Sequence, residues 1–339
     1  HTKDAGRGET PALGAGIGPI WTWCANDVGL CAPKIRRLVR LWASSQLRTA
    51  FCGRNRLDDA MSTTHELLPV FLPEITINWH ITEACNYGCD YCYAKWSTSA
   101  SSFRHTWPKV IDALAQLPGQ RLELQPRPVI AERVRLNFSG GEPFIEKSLG
   151  AAISAAHDAG LSPSFISNGS LITDEFIHNY GSMIAMAGFS FDSFDELTRD
   201  KIGRRMRSKR GLDQNRLAEI FDLFRAVSPS TMLKVNTVVC QENVSEDMRQ
   251  GLEQLAPRRW KMLRVIPDHG GKPVDDVSFS AFVDRHSNVK GAVVETNEDM
   301  ARSYLMLNPD RKPFQRQGKN YKYGGDILNG ALEAFRGTE

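Results

Sequence analysis

Three cysteines lie within eight residues, in the stretch Cys85-Asn86-Tyr87-Gly88-Cys89-Asp90-Tyr91-Cys92. Thiolates at this Cys-x3-Cys-x2-Cys spacing reach one soft metal centre from a single loop. No fourth cysteine is near, since the next in the chain is Cys240. A four-iron, four-sulfur cluster held by three thiolates keeps one iron open to another ligand. The competing reading is a zinc knuckle, which needs a fourth Cys or His, usually in a second pair. His80 falls on an expected strand, so the iron–sulfur reading is preferred.

The spacing, with the aromatic Tyr91 before the last cysteine, resembles the signature of the radical SAM superfamily. The resemblance implies that the open iron chelates the amino and carboxylate groups of S-adenosylmethionine (SAM). Reductive cleavage of the sulfonium–carbon bond then gives a 5′-deoxyadenosyl radical. It also places Tyr91 against the cofactor.

The elements that must carry this loop alternate between strand and helix signals from Met61 onward, which argues for a parallel α/β fold. Strands are expected at 74–80, 133–138, 164–167, 186–191, 232–239 and 259–265. Helices are expected at 108–116, 146–160, 173–180, 213–227 and 245–255. Residues 117–131, rich in Pro, Gln and Arg, read as a loop.

One parity of each strand is polar, whereas an ordinary α/β barrel packs its interior with Val, Ile and Leu. Asn78 and His80 share a face, as do Arg135, Asn137 and Ser139. Ser190 pairs in parity with Asp192, Lys234 with Asn236, and Arg259 with Lys261. The apolar parity then packs on outer helices, and the polar parity lines an interior. Burying Arg135, Lys234, Arg259 and Lys261 unpaired costs several kcal/mol per charge. Only Glu142 and Asp192 stand out as interior partners, so the cavity is expected to hold a multiply charged anion such as a triphosphate. The alternative is half-exposed strands with solvated Lys and Arg.

The motif Gly140-Gly141-Glu142-Pro143 ends the second strand, where glycines let the backbone approach a ligand closely. In radical SAM enzymes a similar motif contacts the SAM amino group. Ser167, Asn168 and Ser170 end the third strand as ligand contacts or as a helix N-cap. The basic run Arg199, Lys201, Arg204, Arg205, Arg207, Lys209 and Arg210 reads mostly as a solvated face. It has no interleaved aromatic residues to stack bases, so direct nucleic-acid binding is not expected.

The stretches 137–144, 167–172, Asp192-Ser193-Phe194-Asp195 and Arg259-Trp260-Lys261 together resemble the viperin family, in order over roughly residues 70–335. These are radical SAM nucleotide dehydratases of antiviral defence. The resemblance implies a partial (β/α)6 radical SAM barrel with a C-terminal extension, domains at 70–270 and 271–339, and a monomer. It implies that the 4′-hydrogen of a ribonucleoside triphosphate is abstracted and the 3′-hydroxyl lost as water. The 3′-deoxy-3′,4′-didehydro product terminates viral RNA chains. CTP or UTP is the expected substrate, with GTP used by some members. Carried over by position, Cys85, Cys89 and Cys92 hold the cluster, and Gly140, Gly141, Glu142, Ser167, Asn168, Ser190 and Arg204 contact SAM. Asn78, Arg135, Ser139, Lys234, Asn236, Arg259 and Lys261 hold the nucleotide. Tyr304 stands near the sugar as a late proton donor or as simple packing. An electron-donor reductase and cluster-assembly factors are the implied partners. This chain departs from the animal members at Arg135 (their lysine), at Trp79 (their tyrosine), at Tyr93-Ala94-Lys95-Trp96, and in lacking their Trp-ending tail. Two other readings stay open: a radical SAM enzyme modifying a peptide or tRNA, and a non-catalytic antiviral scaffold.

Composition sets the outer bounds. The 339 residues are 41% hydrophobic, enough for a sizeable core, and the net charge of +3 makes no strong field. Residues 1–60 hold nine Lys/Arg against five Asp/Glu. They read as a separate leader, with the enzyme beginning at Met61. A basic amphipathic helix at 33–43 is the one expected point of membrane contact. No run reaches the ~20 apolar residues of a membrane span. Seven cysteines, three clustered, are not a disulfide framework, and the cluster chemistry places the protein in a reducing, cytoplasmic compartment.

Overall fold

A computed structural model describes residues 68–94, 102–124, 127–206, 211–266, 270–296, 305–317 and 320–336. The expected leader helix at 33–43, Lys95, Trp96, Arg207, Lys209, Arg210 and Tyr304 lie outside the described residues.

The core is a parallel sheet wrapped by helices. In chain order it runs β1 (Val70–Thr82), α1 (Phe103–Leu114), β2 (Arg121–Leu122), β3 (Val129–Gly140), α2 (Leu149–Asp158), β4 (Ser162–Ser167) and α3 (Asp174–Tyr180). It continues with β5 (Met186–Ser190), α4 (Glu196–Ile202), α5 (Gln214–Val227), β6 (Met232–Val239), α6 (Arg249–Leu255) and β7 (Arg259–Arg264). Then follow α7 (Asp276–Arg285), β8 (Ala292–Glu295), β9 (Leu305–Leu307), β10 (Pro313–Gln317), β11 (Asn320–Tyr323) and α8 (Ala331–Arg336). The sheet order is β11-β10-β9-β1-β3-β4-β5-β6-β7-β8, with β2 paired to β3.

All six expected strands form, and the sheet goes further. After β7, helix α7 leads back to β8, which lies parallel to β7. The chain then crosses to the opposite edge, where β9 lies parallel to β1 with Asn78 opposite Met306. Both edges of the barrel sheet are therefore covered by strands from beyond residue 270.

The period-2 alternation sorts the two faces. Trp79, Leu136, Phe165, Phe189, Val235 and Trp260 are fully buried on the outer, helix-covered face. Trp79 meets Phe103 of α1 at 5.2 Å between ring centroids, and Phe189 meets Phe221 of α5 at 5.3 Å. Thr237 sits on this apolar parity with its hydroxyl satisfied. It donates to the Phe191 carbonyl and accepts the Trp260 indole N–H, both at 2.8 Å.

Helix α1 starts five residues before the expected boundary at Pro108. Proline favours the first helical turn, but burial of Phe103 against Trp79 extends the helix N-terminally and leaves Pro108 inside it. The expected loop at 117–131 contains β2 and the first turns of β3. Helix α6 begins four residues late because 240–244 are used in a turn, in which Asn243 Nδ2 donates to the carbonyls of Asp192 and Val238 at 2.7 and 2.9 Å. Helix α4 is a short helix that the basic run concealed. Asp195 caps it, accepting from Thr198 N at 2.7 Å, and Gly203 ends it at φ 80°, a conformation glycine adopts without strain. No helix among the described residues is long and apolar enough to cross a membrane.

Candidate active site

The cysteine loop follows the C-terminal end of β1, at the end of a parallel sheet where ligand sites gather. Cys85 is exposed, Cys92 partly exposed and Cys89 buried, and none is in a disulfide. Burial pushes the Cys89 thiol up to about 11, and the neighbouring thiols Cys92 and Cys85 add to the rise. The three sulfurs thus share one electrostatic environment. Cys240 directly follows β6 and is buried, with burial pushing its thiol up to about 12. Among the described residues no three His, Cys, Asp or Glu side chains converge on a single metal ion. Three free thiols on one loop suit a cluster of wider span with one open iron.

Backbone bonds hold the start of the loop. Gly141 N donates to the Thr82 carbonyl at 2.7 Å and Glu142 N to the Ala84 carbonyl at 2.8 Å. Gly140 has φ 135°, and a Cβ on Gly141 would collide with the Ala84 carbonyl. The two glycines let β3 lie directly against the chain that leads into the cysteines.

Glu142 is fully buried. Its carboxylate accepts from Ser167 Oγ at 2.7 Å, Asn168 N at 2.7 Å and Phe144 N at 3.1 Å. Burial raises its pKa to about 7, against the pull of these donors. Asn168 Nδ2 donates to Asn86 Oδ1 at 2.8 Å, and Asn86 Nδ2 to Ser170 Oγ at 2.9 Å. The open choice for these strand-end residues is thereby settled on one side. Thr173 is the N-cap of α3, accepting from Phe176 N at 3.1 Å, so Ser167, Asn168 and Ser170 are not caps. They join the β4 end to Glu142 and to the cysteine loop.

Asp192 does not serve as partner to the interior bases. Its carboxylate receives the Tyr91 hydroxyl and the Arg204 guanidinium, and takes the Val238 N–H at 2.7 Å. Burial opposes the charge on Arg204, yet Asp192, Cys89 and Tyr91 beside it hold the guanidinium protonated. Arg199 also leaves the expected solvated face. It is buried, donates to the Ser193 carbonyl at 2.9 Å, and lies 5.3 Å from the centre of the Phe191 ring.

On the polar parity, Asn78, Asn137 and Ser164 are linked by hydrogen bonds. Asn137 Nδ2 donates to Asn78 Oδ1 at 2.8 Å, and Ser164 Oγ donates to Asn137 Oδ1 at 3.0 Å. Ser139 lies opposite His80, Ser190 opposite Asn236, Lys234 opposite Arg259, and Asn236 opposite Lys261. Lys234 and Lys261 are buried. Lys234 makes no hydrogen bond or ion pair among the described residues. Burial pushes its ammonium well below the usual range, and the charges of Lys261, Arg259 and Arg135 push further, opposed by Glu295. Asn236 Oδ1 is buried beside it with no hydrogen-bond partner among the described residues.

Two acids missing from the expected set partner the bases. Glu295 of β8 is buried in an ion pair with Lys261. Glu74 of β1 lies 3.5 Å from Arg135, whose guanidinium also donates to Thr76 Oγ1 at 2.7 and 3.0 Å. Register could have suggested Glu74, which shares the parity of Asn78. Tyr304, one position before β9, falls outside the described residues.

Residues 79–255 match the Radical SAM superfamily. The S-adenosylmethionine-dependent nucleotide dehydratase of Pseudoalteromonas ulvae is 34% identical over 281 residues, covering 77% of this chain and 88% of that protein. This chain belongs to the radical SAM superfamily, among its nucleotide dehydratases. The S-adenosylmethionine-dependent nucleotide dehydratase RSAD2 of Oncorhynchus mykiss is 33% identical over 250 residues, covering 69% of this chain and 67% of that one. The radical SAM fold is also seen in two solved structures. anSMEcpe with bound AdoMet has a TM-score of 0.56 at 11% identity, over 79% of this chain and 81% of that one. SuiB of Streptococcus suis bound to S-adenosylmethionine has a TM-score of 0.55 at 11% identity. It is matched over 77% of this chain and 65% of SuiB. As a radical SAM nucleotide dehydratase, the chain takes a [4Fe-4S] cluster and SAM as cofactors, and its three loop thiols fit the cluster.

Proposed function

We propose that this dehydratase converts CTP or UTP to the 3′-deoxy-3′,4′-didehydro nucleotide, a chain terminator for viral RNA synthesis. The observation that carries the phosphate part of this reading is the pair of buried lysines, Lys234 and Lys261, on the polar face beside Arg135 and Arg259. A buried lysine without an ion-pair partner, such as Lys234, is costly to charge until an anion arrives, and a triphosphate supplies that anion.

When bound, the cluster and SAM supply the one-electron chemistry that removes a hydrogen atom from the substrate. The chain's own residues do the placing. Cys85, Cys89 and Cys92 hold the cluster. Gly140, Gly141, Glu142, Ser167, Asn168, Ser190 and Arg204 shape the SAM site, with Tyr91 fixed between Arg204 and Asp192. Lys234, Lys261, Arg259 and Arg135 grip the phosphates. Asn78, Ser139 and Asn236 face the sugar or base, and the free acceptor Asn236 Oδ1 suits a hydroxyl or amino group. In this reading the C-terminal extension closes the site. Positioning of this kind, rather than acid–base chemistry, selects the hydrogen that is lost.

An electron-donor reductase and cluster-assembly factors complete the system, in a reducing compartment. Anaerobic incubation of the reconstituted enzyme with SAM, reductant and each of the four ribonucleoside triphosphates, read by mass spectrometry, tests the reading. Loss of one water from a pyrimidine triphosphate is expected. Turnover of none of the four would overturn it.

A further inference from the structure

The ion pair between Lys261 of β7 and Glu295 of β8 sits inside the basic face, where a resident acid opposes an incoming anion. Both side chains are buried. Glu295 reaches the site because β8 pairs in parallel with β7, Leu263 opposite Glu295, which puts Glu295 on the same parity as Lys261. We propose that Glu295 is the built-in counter-ion of the phosphate site, holding Lys261 charged and in place before the triphosphate arrives. This inference rests on the phosphate reading above.

The groups that face Lys261 and Lys234 come from four strands. Arg135 on β3, Lys234 on β6 and Arg259 on β7 are cationic, and Glu295 on β8 is the acid that supports both lysines. Glu74 on β1 lies against Arg135. Two opposing effects follow. With Glu295 in place, Lys261 keeps its proton to higher pH, because burial and the neighbouring cations otherwise lower its pKa. With Glu295 neutralised, the site repels phosphate less but loses its proton sooner. Wild-type protein and Glu295→Gln therefore differ in sign at the two ends of the pH range. A purely structural loss would weaken binding at every pH.

Cluster-reconstituted protein without reductant, so that no turnover occurs, is titrated with inorganic tripolyphosphate and with CTP and UTP from pH 6 to 9. Glu295→Gln is expected to bind tripolyphosphate as tightly as wild type or more tightly near pH 6.5, and more weakly near pH 8.5. Its alkaline limb should move down by about one pH unit or more. Glu295→Asp should keep the wild-type limb. Parallel profiles for wild type and Glu295→Gln would overturn the inference and leave the phosphate site standing. Failure of wild-type protein to bind tripolyphosphate and both nucleotides would overturn the phosphate site and the inference with it. A Glu295→Gln chain that does not fold is replaced by a measurement on wild type. NMR titration of the 15N-labelled lysine side chains of the phosphate-free protein is then expected to show Lys261 still charged at pH 8, and a neutral Lys261 at that pH would overturn the inference.

Discussion

Ser167 Oγ donates to Glu142 Oε1 at 2.7 Å, across the ends of neighbouring strands and in full burial. The bond ties the strand-end serine of β4 to the residue whose backbone clamps the start of the cysteine loop. It also bears on pH. The Glu142 carboxyl is raised to about 7 by burial, whereas in an unfolded chain it titrates near the ordinary Glu value of ~4.3. A raised folded-state pKa favours the folded protein fully below the lower value, and that advantage is lost as pH climbs through the higher one. Glu142→Gln should therefore flatten the stability profile of the cofactor-free protein between about pH 4.5 and 7. The difference from wild type should amount to roughly 3 kcal/mol across that interval. Urea titrations of both proteins at several pH values measure it, and parallel profiles would contradict the burial of this carboxylate.

Among the described residues the cysteines divide into two groups. Cys85, Cys89 and Cys92 share one loop, while Cys240 is buried directly after β6. Replacing any of the three by alanine should remove bound iron and the charge-transfer absorbance that bleaches on reduction. Cys240→Ala should keep about four irons per chain. Iron analysis of the four variants after anaerobic reconstitution decides, and loss of the cluster in Cys240→Ala would mean that no iron is left open.

The two buried lysines should respond in opposite ways to removal of their charge. Lys234 has no hydrogen bond or ion pair among the described residues and its burial disfavours the charge, so Lys234→Met should raise the stability of the nucleotide-free protein by on the order of 1–4 kcal/mol. Lys261→Met takes the cation from the buried Glu295, and should lower stability by about 3–5 kcal/mol. Both should weaken triphosphate binding by ~2–5 kcal/mol, since a desolvated charge partner is lost in each. Thermal melts and nucleotide titrations separate the two effects. Equal stability changes for both variants would show that Glu295 does not single out Lys261.

What could be read from the sequence, and what could not, follows the range of the interactions. The polar parity of 133–139 and 234–236 was legible because strand alternation is local. The cysteine loop was legible because its three ligands lie within eight residues. Glu295 was not, for it lies 34 residues after Lys261 on a four-residue strand, and only the β7–β8 pairing brings the two together. Asp192 misled for a related reason. Its parity was right, but the partner that claims it, Arg204, comes from the loop after α4, hidden in a run of charges. Asp195, Thr198 and Gly203 carried the start and stop signals of that helix, and the basic composition outweighed them.

Position decides which hydrogen leaves the substrate. A hydrogen atom can be taken only from a position held within a few ångströms of the acceptor. Arg135, Lys234, Arg259 and Lys261 share the polar face with Asn78 and Asn236. On the function proposed above, they fix the triphosphate at one side and leave the ribose toward the end of the sheet where Glu142 and the cysteine loop meet, which fits loss of the hydrogen on C4′. Departure of the 3′-hydroxyl as water requires a proton and one electron, and leaves a double bond between C3′ and C4′. CTP or UTP deuterated at C4′ should therefore pass its deuterium to 5′-deoxyadenosine, and the nucleotide should lose the deuterium together with the 3′-hydroxyl. Mass spectrometry of both products reads the transfer. Deuterium retained in the nucleotide while unlabelled 5′-deoxyadenosine accumulates would exclude C4′ as the site and send the search to another position on the ribose.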